Sequence, residues 1–417
     1  MRRKKLNAAS SSNAAKAILA GAANVRKAAA AERSERKSRM EIGRIPSLTW
    51  NHLQANSAVL EAAPVLRTEI ETNYESLPAG VQHITMNPAA AKAWLEEHAP
   101  TEEPEAVVAG KAPIYHPQTF GTGLGQEYDD LLKKADTAYE LLEVAPNTKV
   151  EETISWSIDF ADGNEASQGQ LIHVQENSSL TVLISARSEK DAKGTAAIST
   201  KIVLEKGAQL FLIKAQVLGN GYVFLDDTGA ALAEKASLHM IQVELGGGKV
   251  YVGTQPELIG DRSSYEAQVG YLGKDSRLID VNYNVIQRGR RTNAQMTFDG
   301  VLDDQSVKAF RGTIDFRKGS KASKGDEQEN VLLLSDNIVN KTLPIILCEE
   351  EDVEGRHGAS IGQLDEDMLF YMATRGIDRK EAEQIMVRAR LGAVVRGIPD
   401  LALRAELMNK IEEAFAE

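Results

Sequence analysis

EKGAQL, residues 205–210, is one of five segments in which a charged or small polar turn leads into an aliphatic residue; the others are ENSSL (176–180), EKASL (234–238), KDSRL (274–278) and DDQSV (303–307). The aliphatic ends of neighbouring segments, Leu180 to Leu210 to Leu238 and Leu278 to Val307, lie 28 to 30 residues apart. A weak repeat of this length is typical of a β-solenoid, whose coils stack and bury a continuous aliphatic column.

The repeat lies within residues 151–362, where short runs rich in Val, Ile, Leu and Thr alternate with Gly, Asp, Asn and Ser. These runs are typical of strands and turns, so we expect an all-β body. A β-sandwich with a strand about every 8 to 12 residues fits the same turn density and stays an open alternative. The end coils of a solenoid would expose unpaired backbone groups, which helices or another chain must cover.

The two flanks of the β body have helical patterns. AAAKAWLEEHA (89–99) and QEYDDLLKKADTAYELLEV (126–144) predict a mainly helical N-terminal domain over residues 40–150. Residues 363–417 predict a C-terminal helical domain, because Asp365, Asp378 and Asp400 each stand where a helix N-cap is expected.

Charge is distributed unevenly along the chain. Residues 1–39 contain eleven Lys and Arg against two Glu, a balance of +9; subtracting this from the total of −12 leaves −21 for the rest. Such an acidic body repels nucleic acid, and no apolar run approaches the roughly 20 residues of a membrane span. We expect residues 1–39 to form a disordered basic tail or to precede a start at Met40, with a transit peptide as the alternative.

Few motifs point to catalysis or to metal binding. The single cysteine, Cys348, excludes an internal disulfide and any multi-cysteine site built by this chain alone, and we expect it to be a buried structural thiol. GTGLGQ (121–126) is expected to be a flexible linker rather than a phosphate-binding loop, and the acidic run 349–352 a solvated edge rather than a cation site. The seven histidines form no HxH or HxxxH pair, and no nucleophile signature is present.

A series of motifs in the C-terminal half follows a specific order: FRGTIDFRKGSKASKGDEQ (310–328), QENVLLLS (328–335), DV (352–353), HGA (357–359), GQLD (362–365), LFY (369–371) and RGI (375–377). Together they resemble the SufB/SufD family of iron–sulfur cluster assembly proteins, most strongly over residues 290–390. The resemblance implies a right-handed parallel β-helix core flanked by helical segments. It also implies a cytoplasmic complex with SufB and the ATPase SufC.

Two positions make the sequence similar to the SufD branch. The SufB branch carries a cysteine at the position of Glu329 and a glutamate at the position of Gly358. SufD-like sequences often have a cysteine two residues before the motif histidine, where this chain has Gly355, and a small residue where it has Arg356.

The resemblance implies a site as well as a fold. His357, taken alone a turn residue at a strand-to-helix junction, becomes a candidate ligand for iron or a nascent cluster, held transiently at the SufB boundary with Asp352 and Val353. The candidate residues for docking SufC are Leu369, Phe370, Tyr371 and Arg375.

The sequence predicts no catalytic residue, no enzymatic turnover and no cofactor bound stably by this chain alone. The alternatives are a SufB-like or homodimeric scaffold and a β-solenoid carbohydrate-active enzyme.

Overall fold

The computed structural model describes residues 39–47, 51–70, 77–98 and 120–415. The tail expected over residues 1–39 lies outside this part of the chain, except for Arg39. The described residues divide into a small unit, made of residues 39–41 and 59–63, and a main unit that takes the remainder.

The strands are β1 (Met40–Ile42), β2 (Ala58–Leu60), β3 (Thr68–Glu69), β4 (Val81–Met86), β5 (Tyr139–Val144), β6 (Lys149–Asp159), β7 (Glu165–Val174), β8 (Ser179–Arg187), β9 (Lys193–Leu204), β10 (Gln209–Val217), β11 (Gly221–Leu232), β12 (Ser237–Glu244), β13 (Lys249–Leu258), β14 (Ser264–Gly273), β15 (Leu278–Gln287), β16 (Asn293–Leu302), β17 (Val307–Phe316), β18 (Ser323–Leu333), β19 (Val339–Cys348) and β20 (Val353–Gln363). The helices are a 3₁₀ turn (Asn51–Leu53), α1 (Pro88–His98), α2 (Gln126–Lys134), α3 (Glu366–Thr374), α4 (Arg379–Val395) and α5 (Leu401–Glu413).

Two parallel sheets make up the β body. The even-numbered strands from β6 to β20 form one sheet of eight, and the odd-numbered strands from β5 to β19 form the other, which β4 extends by antiparallel pairing with β5. Successive strands belong alternately to the two sheets, and each coil adds one strand to each sheet. The result is a parallel β-solenoid of about 8 turns. The solenoid prediction is therefore confirmed, and the sandwich alternative is wrong.

The recurring turns are the corners of the solenoid. Asn177 and Lys235 adopt left-handed backbone with φ of 55° and 58°. The N–H of Asn177 donates to the carbonyl of Lys206 at 2.9 Å, and the N–H of Lys235 donates to that of Asp261 at 2.9 Å, so each corner is bonded to the next coil. The segments KDSRL and DDQSV precede odd-numbered strands instead, so they belong to the opposite corner, which explains why the repeat is interrupted after Leu238.

An aliphatic column fills the space between the two sheets. Leu180, Leu210 and Leu238 are direct register partners in β8, β10 and β12, and each is at most 2% exposed. These are the aliphatic ends of three of the five repeated segments, so the sequence repeat is the stacking of identical positions in successive coils.

A polar cluster interrupts this column. The Lys214 ammonium is ion-paired with Asp226 and donates to the hydroxyls of Thr200 and Thr228 at 3.1 Å each. The amide of Gln242 donates to Asp226 at 3.0 Å and to Glu244 at 2.8 Å. Burial, reinforced by the Asp226 charge, raises the pKa of Glu244 to about 8.

Helices cover the outer face of the eight-stranded sheet. Leu183, Ile213 and Ile241 on that face form one buried cluster with Leu391 and Val394 of α4. The predicted N-caps are confirmed, because the carboxylates of Asp365, Asp378 and Asp400 each accept a backbone N–H, at 3.0, 2.8 and 2.7 Å.

The outer face of the other sheet is covered by chain from the N-terminal side, and here two expectations are wrong. Residues 121–125 are not a flexible linker: the N–H of Leu124 donates to Asp227 at 2.7 Å, and the carbonyl of Gly123 accepts from Asn282 at 2.7 Å. A Cβ on Gly123 would lie 1.9 Å from the backbone nitrogen of Thr254, so the glycines permit close backbone approach.

The described part of residues 40–150 is also not mainly helical, since it contains β1 to β5 as well as α1 and α2. The helix predicted over residues 126–144 ends at Lys134, Asp136 takes a positive φ of 54°, and Tyr139–Val144 joins the solenoid as β5. Pairing with β7 overrides the helical spacing of this segment.

The Glu244 pKa predicts a measurable pH dependence. The carboxyl group binds its proton more tightly in the folded than in the unfolded chain, so its contribution to the free energy of unfolding declines as pH rises from about 4.5 to about 8. We expect the free energy of unfolding of Glu244→Gln to fall by a few kcal/mol less than that of the wild type over this pH range. Urea unfolding across this pH range checks it, with the exposed Glu189→Gln as control; equal pH slopes for the wild type and Glu244→Gln would contradict it.

Candidate functional site

The C-terminal end of the solenoid is open. Within the described residues, β19 pairs only with β17 and β20 only with β18, so each sheet ends in a strand with one free edge. Val339 of β19 and Ile361 of β20 are 45% and 43% exposed. A row of unpaired backbone groups next to exposed aliphatic side chains is a surface that a further strand can extend.

His357 lies in the middle of the edge strand β20 rather than at a strand-to-helix junction. Asp352 is in the preceding turn, and Val353 is the first residue of the strand. The stretch between Gly355 and Gly362 lacks a clear strand pattern in the sequence, and its pairing with β18 imposes the extended conformation.

The imidazole of His357 is on the inward side of this edge. His357 is the register partner of Glu327, and direct partners in a parallel pair point to the same face of the sheet. Glu327 is 1% exposed and points into the solenoid, where a Cβ on Gly312 would lie 2.2 Å from its carboxylate. His357 itself is exposed, because β20 is the last strand of its sheet in the part of the chain that the structure describes.

The charge state of Glu327 follows from its burial. Burial, and secondly the charge of Glu329, raise the pKa of Glu327 to about 8, so its carboxyl group is largely protonated at neutral pH. One of its oxygens has no hydrogen-bond partner. The rim of the solenoid thus presents an exposed imidazole next to a buried neutral acid.

An ionic cluster lies one coil deeper. The ammonium of Lys308 is ion-paired with Glu329, and both side chains are fully buried. The hydroxyl of Tyr271 donates to Glu329 at 3.0 Å, and that of Thr342 in the edge strand β19 donates at 2.7 Å. Burial lowers the pKa of Lys308. The cluster therefore ties the last coil to the coils beneath it.

Helix α3 presents the second candidate surface. Of the residues predicted to dock SufC, Leu369 is buried against the protein, whereas Phe370 and Tyr371 are 72% and 57% exposed. Met368 is also exposed, at 45%, and the guanidinium of Arg375 lies 5.2 Å from the centre of the Tyr371 ring. We call Met368, Phe370 and Tyr371 the exposed patch; it follows the end of β20 by a few residues.

The sequence analysis names His357, Phe370 and Tyr371 as candidates but misses the groups that lie next to them in the structure. Glu327 and Lys308 are charged residues in strands, and only the alternation of their neighbours indicates that they point inward. Among the described residues, no group of three or more His, Cys, Asp or Glu side chains is arranged to hold a metal ion. His357 is thus at most part of a ligand set.

A comparison with known proteins decides the family. The family model described as "SUF system FeS cluster assembly, SufBD core domain" matches residues 160–390, more than half of the chain. The chain belongs to the SufBD family. The match contains β7 to β20, helix α3 and most of α4, and therefore includes the open edge, His357 and the exposed patch.

Curated relatives agree with this assignment and with its SufD-like character. The chain is 24% identical to the iron–sulfur cluster assembly protein SufD of Bacillus subtilis over 246 residues, which is 58% of this chain and 56% of the relative. It is 23% identical to SufD of Escherichia coli over 180 residues, 43% of each chain. A chloroplastic SufBD family protein of Arabidopsis thaliana is 25% identical over 182 residues, 44% of this chain and 33% of the relative.

The matched region spans about half the length of these relatives, or less. In the described part of the chain, no helix combines the length and apolar character needed to span a bilayer.

The Lys308–Glu329 pair gives a stability prediction. Lys308→Met leaves the Glu329 carboxylate buried without its counter-charge, so we expect it to lower the free energy of unfolding by about 3–5 kcal/mol. The double variant Lys308→Met/Glu329→Leu removes both charges and should recover most of this loss. Urea denaturation of the three proteins measures it, and a single variant as stable as the wild type would contradict the burial of this ion pair.

Proposed function

We propose that the chain is a non-catalytic scaffold subunit for iron–sulfur cluster assembly, which pairs with SufB along its open edge and docks the ATPase SufC through helix α3. The observation that carries the proposal is the unpaired terminal coil in a SufBD family member, with His357 on its inward side. We place this complex in the cytoplasm.

The edge supports pairing with another β-solenoid. A partner strand that adds to β19 or β20 would satisfy free backbone groups and cover Val339 and Ile361. It would also enclose the imidazole of His357 and the buried carboxyl of Glu327 at the junction. The iron or the nascent cluster is cargo in this proposal, and SufB would supply the ligands that this chain lacks.

The exposed patch supports docking of a second partner. Large apolar side chains such as Phe370 and Tyr371 are seldom this exposed side by side unless a partner covers them. Because helix α3 follows β20 directly in the chain, a partner that moves the helix also pulls on the open edge. Nucleotide-driven movement of SufC could therefore be transmitted to the SufB junction as a rigid-body change.

A homodimeric scaffold is the second candidate, because the same open edge can accept the edge of another copy. Co-expression with SufB and SufC separates the two, since the heteromeric proposal predicts that all three proteins co-purify. Recovery of this chain alone or as a dimer, with neither partner bound, would contradict the heteromeric proposal.

The exposed patch predicts selective loss of one partner. We expect the double variant Phe370→Ser/Tyr371→Ser to lose SufC at least tenfold while still co-purifying with SufB, because each substitution removes an apolar anchor. Leu401→Ser is the matched control, since Leu401 is also exposed, at 71%, but lies on α5. Retention of SufC by the double variant, or equal loss in the control, would contradict the assignment of this surface.

The proposed role of His357 predicts an effect on cargo without an effect on assembly. We expect His357→Ala to lower the yield of cluster reconstituted on the purified complex, while the complex keeps its native mass. Ser360→Ala, on the outward side of the same strand, is the control. A cluster yield equal to that of the wild type would remove the role proposed for His357.

A further inference from the structure

A groove lies along one corner of the solenoid. It has a volume of about 510 Å³ and is lined by the turns that precede β12, β14, β16, β18 and β20. Of the eight described residues that line it, seven are charged: Glu234, Asp261, Arg262, Arg290, Arg291, Lys321 and Asp352.

The corner geometry sets the spacing of these side chains. The N–H of Arg262 donates to the carbonyl of Arg290 at 2.8 Å, and that of Arg291 donates to the carbonyl of Lys321 at 2.9 Å. Equivalent turn positions therefore repeat at the coil spacing of about 4.8 Å. Arg262 and Arg291 occupy equivalent turn positions in successive coils, and Lys321 stands one residue before that position in the next coil, so the three lie within about 10 Å of one another along the corner.

Two of the acids in the groove are already neutralised. Glu234 is ion-paired with Lys206 at 2.9 Å and with Lys235 at 3.0 Å, and Asp261 accepts from the guanidinium of Arg290 at 2.9 Å. The charges of these two acids are therefore already balanced by ion pairs with neighbouring cations.

Three cations of the groove make no ion pair among the described residues. Arg262, Arg291 and Lys321 have no ion-pair partner in the described part of the chain, and Asp352 at the open end is the one lining acid there that is likewise unpaired. The four cations and three acids that line the groove give it a net charge of +1, in a protein whose total is −12. A positively charged groove on an acidic protein favours the binding of an anion.

We propose that this groove binds a small phosphate-bearing molecule with a charge of −2 or more. The guanidinium groups of Arg262 and Arg291 offer paired donors that match phosphate oxygens, and Lys321 adds a third charge. The volume is that of a small-ligand pocket. With Ala322 as its one uncharged lining residue, the groove has no apolar wall for a hydrophobic ligand.

The test is titration calorimetry of the full-length chain with inorganic pyrophosphate at low ionic strength. We expect Arg262→Gln and Arg291→Gln each to weaken binding by about tenfold, since each removes a charge-assisted contact. Asp352→Asn should strengthen binding severalfold, because it removes the unpaired acid. Arg44→Gln is the control, an exposed arginine outside the groove, and should bind like the wild type.

Absence of pyrophosphate binding to the wild type would overturn the proposal, as would equal affinities for Arg262→Gln, Arg291→Gln and the control. Citrate, which carries carboxylates instead of phosphates, is titrated in parallel. Citrate binding as tight as that of pyrophosphate would overturn the assignment to phosphate. Because the assay needs neither SufB nor SufC, its result is independent of the scaffold role.

Discussion

Hydrogen bonding from each coil to the next is the constraint on which the structure depends. Every strand of the β body pairs in parallel with the strand two places along the chain, and the corner residues repeat the bond through N–H groups such as that of Lys235. Because each coil is completed only by pairing with the next one, the last coil of such a stack has strand edges without a partner. The antiparallel strand β4 covers the first strand of one sheet, whereas β19 and β20 have no such cover among the described residues.

The interior of the solenoid near this end is unusual in its chemistry. Fully buried ion pairs such as Lys308–Glu329 are costly unless both charges are also hydrogen-bonded. Here Tyr271 and Thr342 both donate to Glu329, and the hydroxyl of Thr342 accepts from Lys308 at 3.0 Å. Thr342 belongs to the edge strand β19, so the cluster fixes that strand in place. The edge offered to a partner is therefore rigidly held, which lowers the entropic cost of binding.

The sequence predicts two features of this fold: the stacked position that repeats in successive coils and the caps at the helix N-termini. Leu180, Leu210 and Leu238 occupy one stacked position, and the carboxylates of Asp365 and Asp378 bond helix N-termini, so both patterns have a local physical cause. It cannot predict what depends on distant pairing. The conformation of His357 is set by β18, thirty residues earlier, and not by the glycine-rich segment around it.

Two further differences have the same origin. Cys348 was expected to be buried because aliphatic residues precede it, but it is exposed, and its thiol donates to the carbonyl of Glu350 at 2.9 Å. The thiol is exposed because β19 has a neighbour on only one side. The glycines at 121 and 123 are needed for contact with strands more than a hundred residues later in the chain, which no local pattern reveals.

Hydrogen–deuterium exchange of β19 and β20, in the isolated chain and in its complex with SufB, tests the central claim most directly. The amides of β20 that point away from β18 have no strand partner among the described residues and should exchange rapidly in the isolated chain. Binding of SufB should protect them strongly. Exchange that is already slow in the isolated monomer, or that stays unchanged in the complex, would contradict the claim that this open edge is the joining surface.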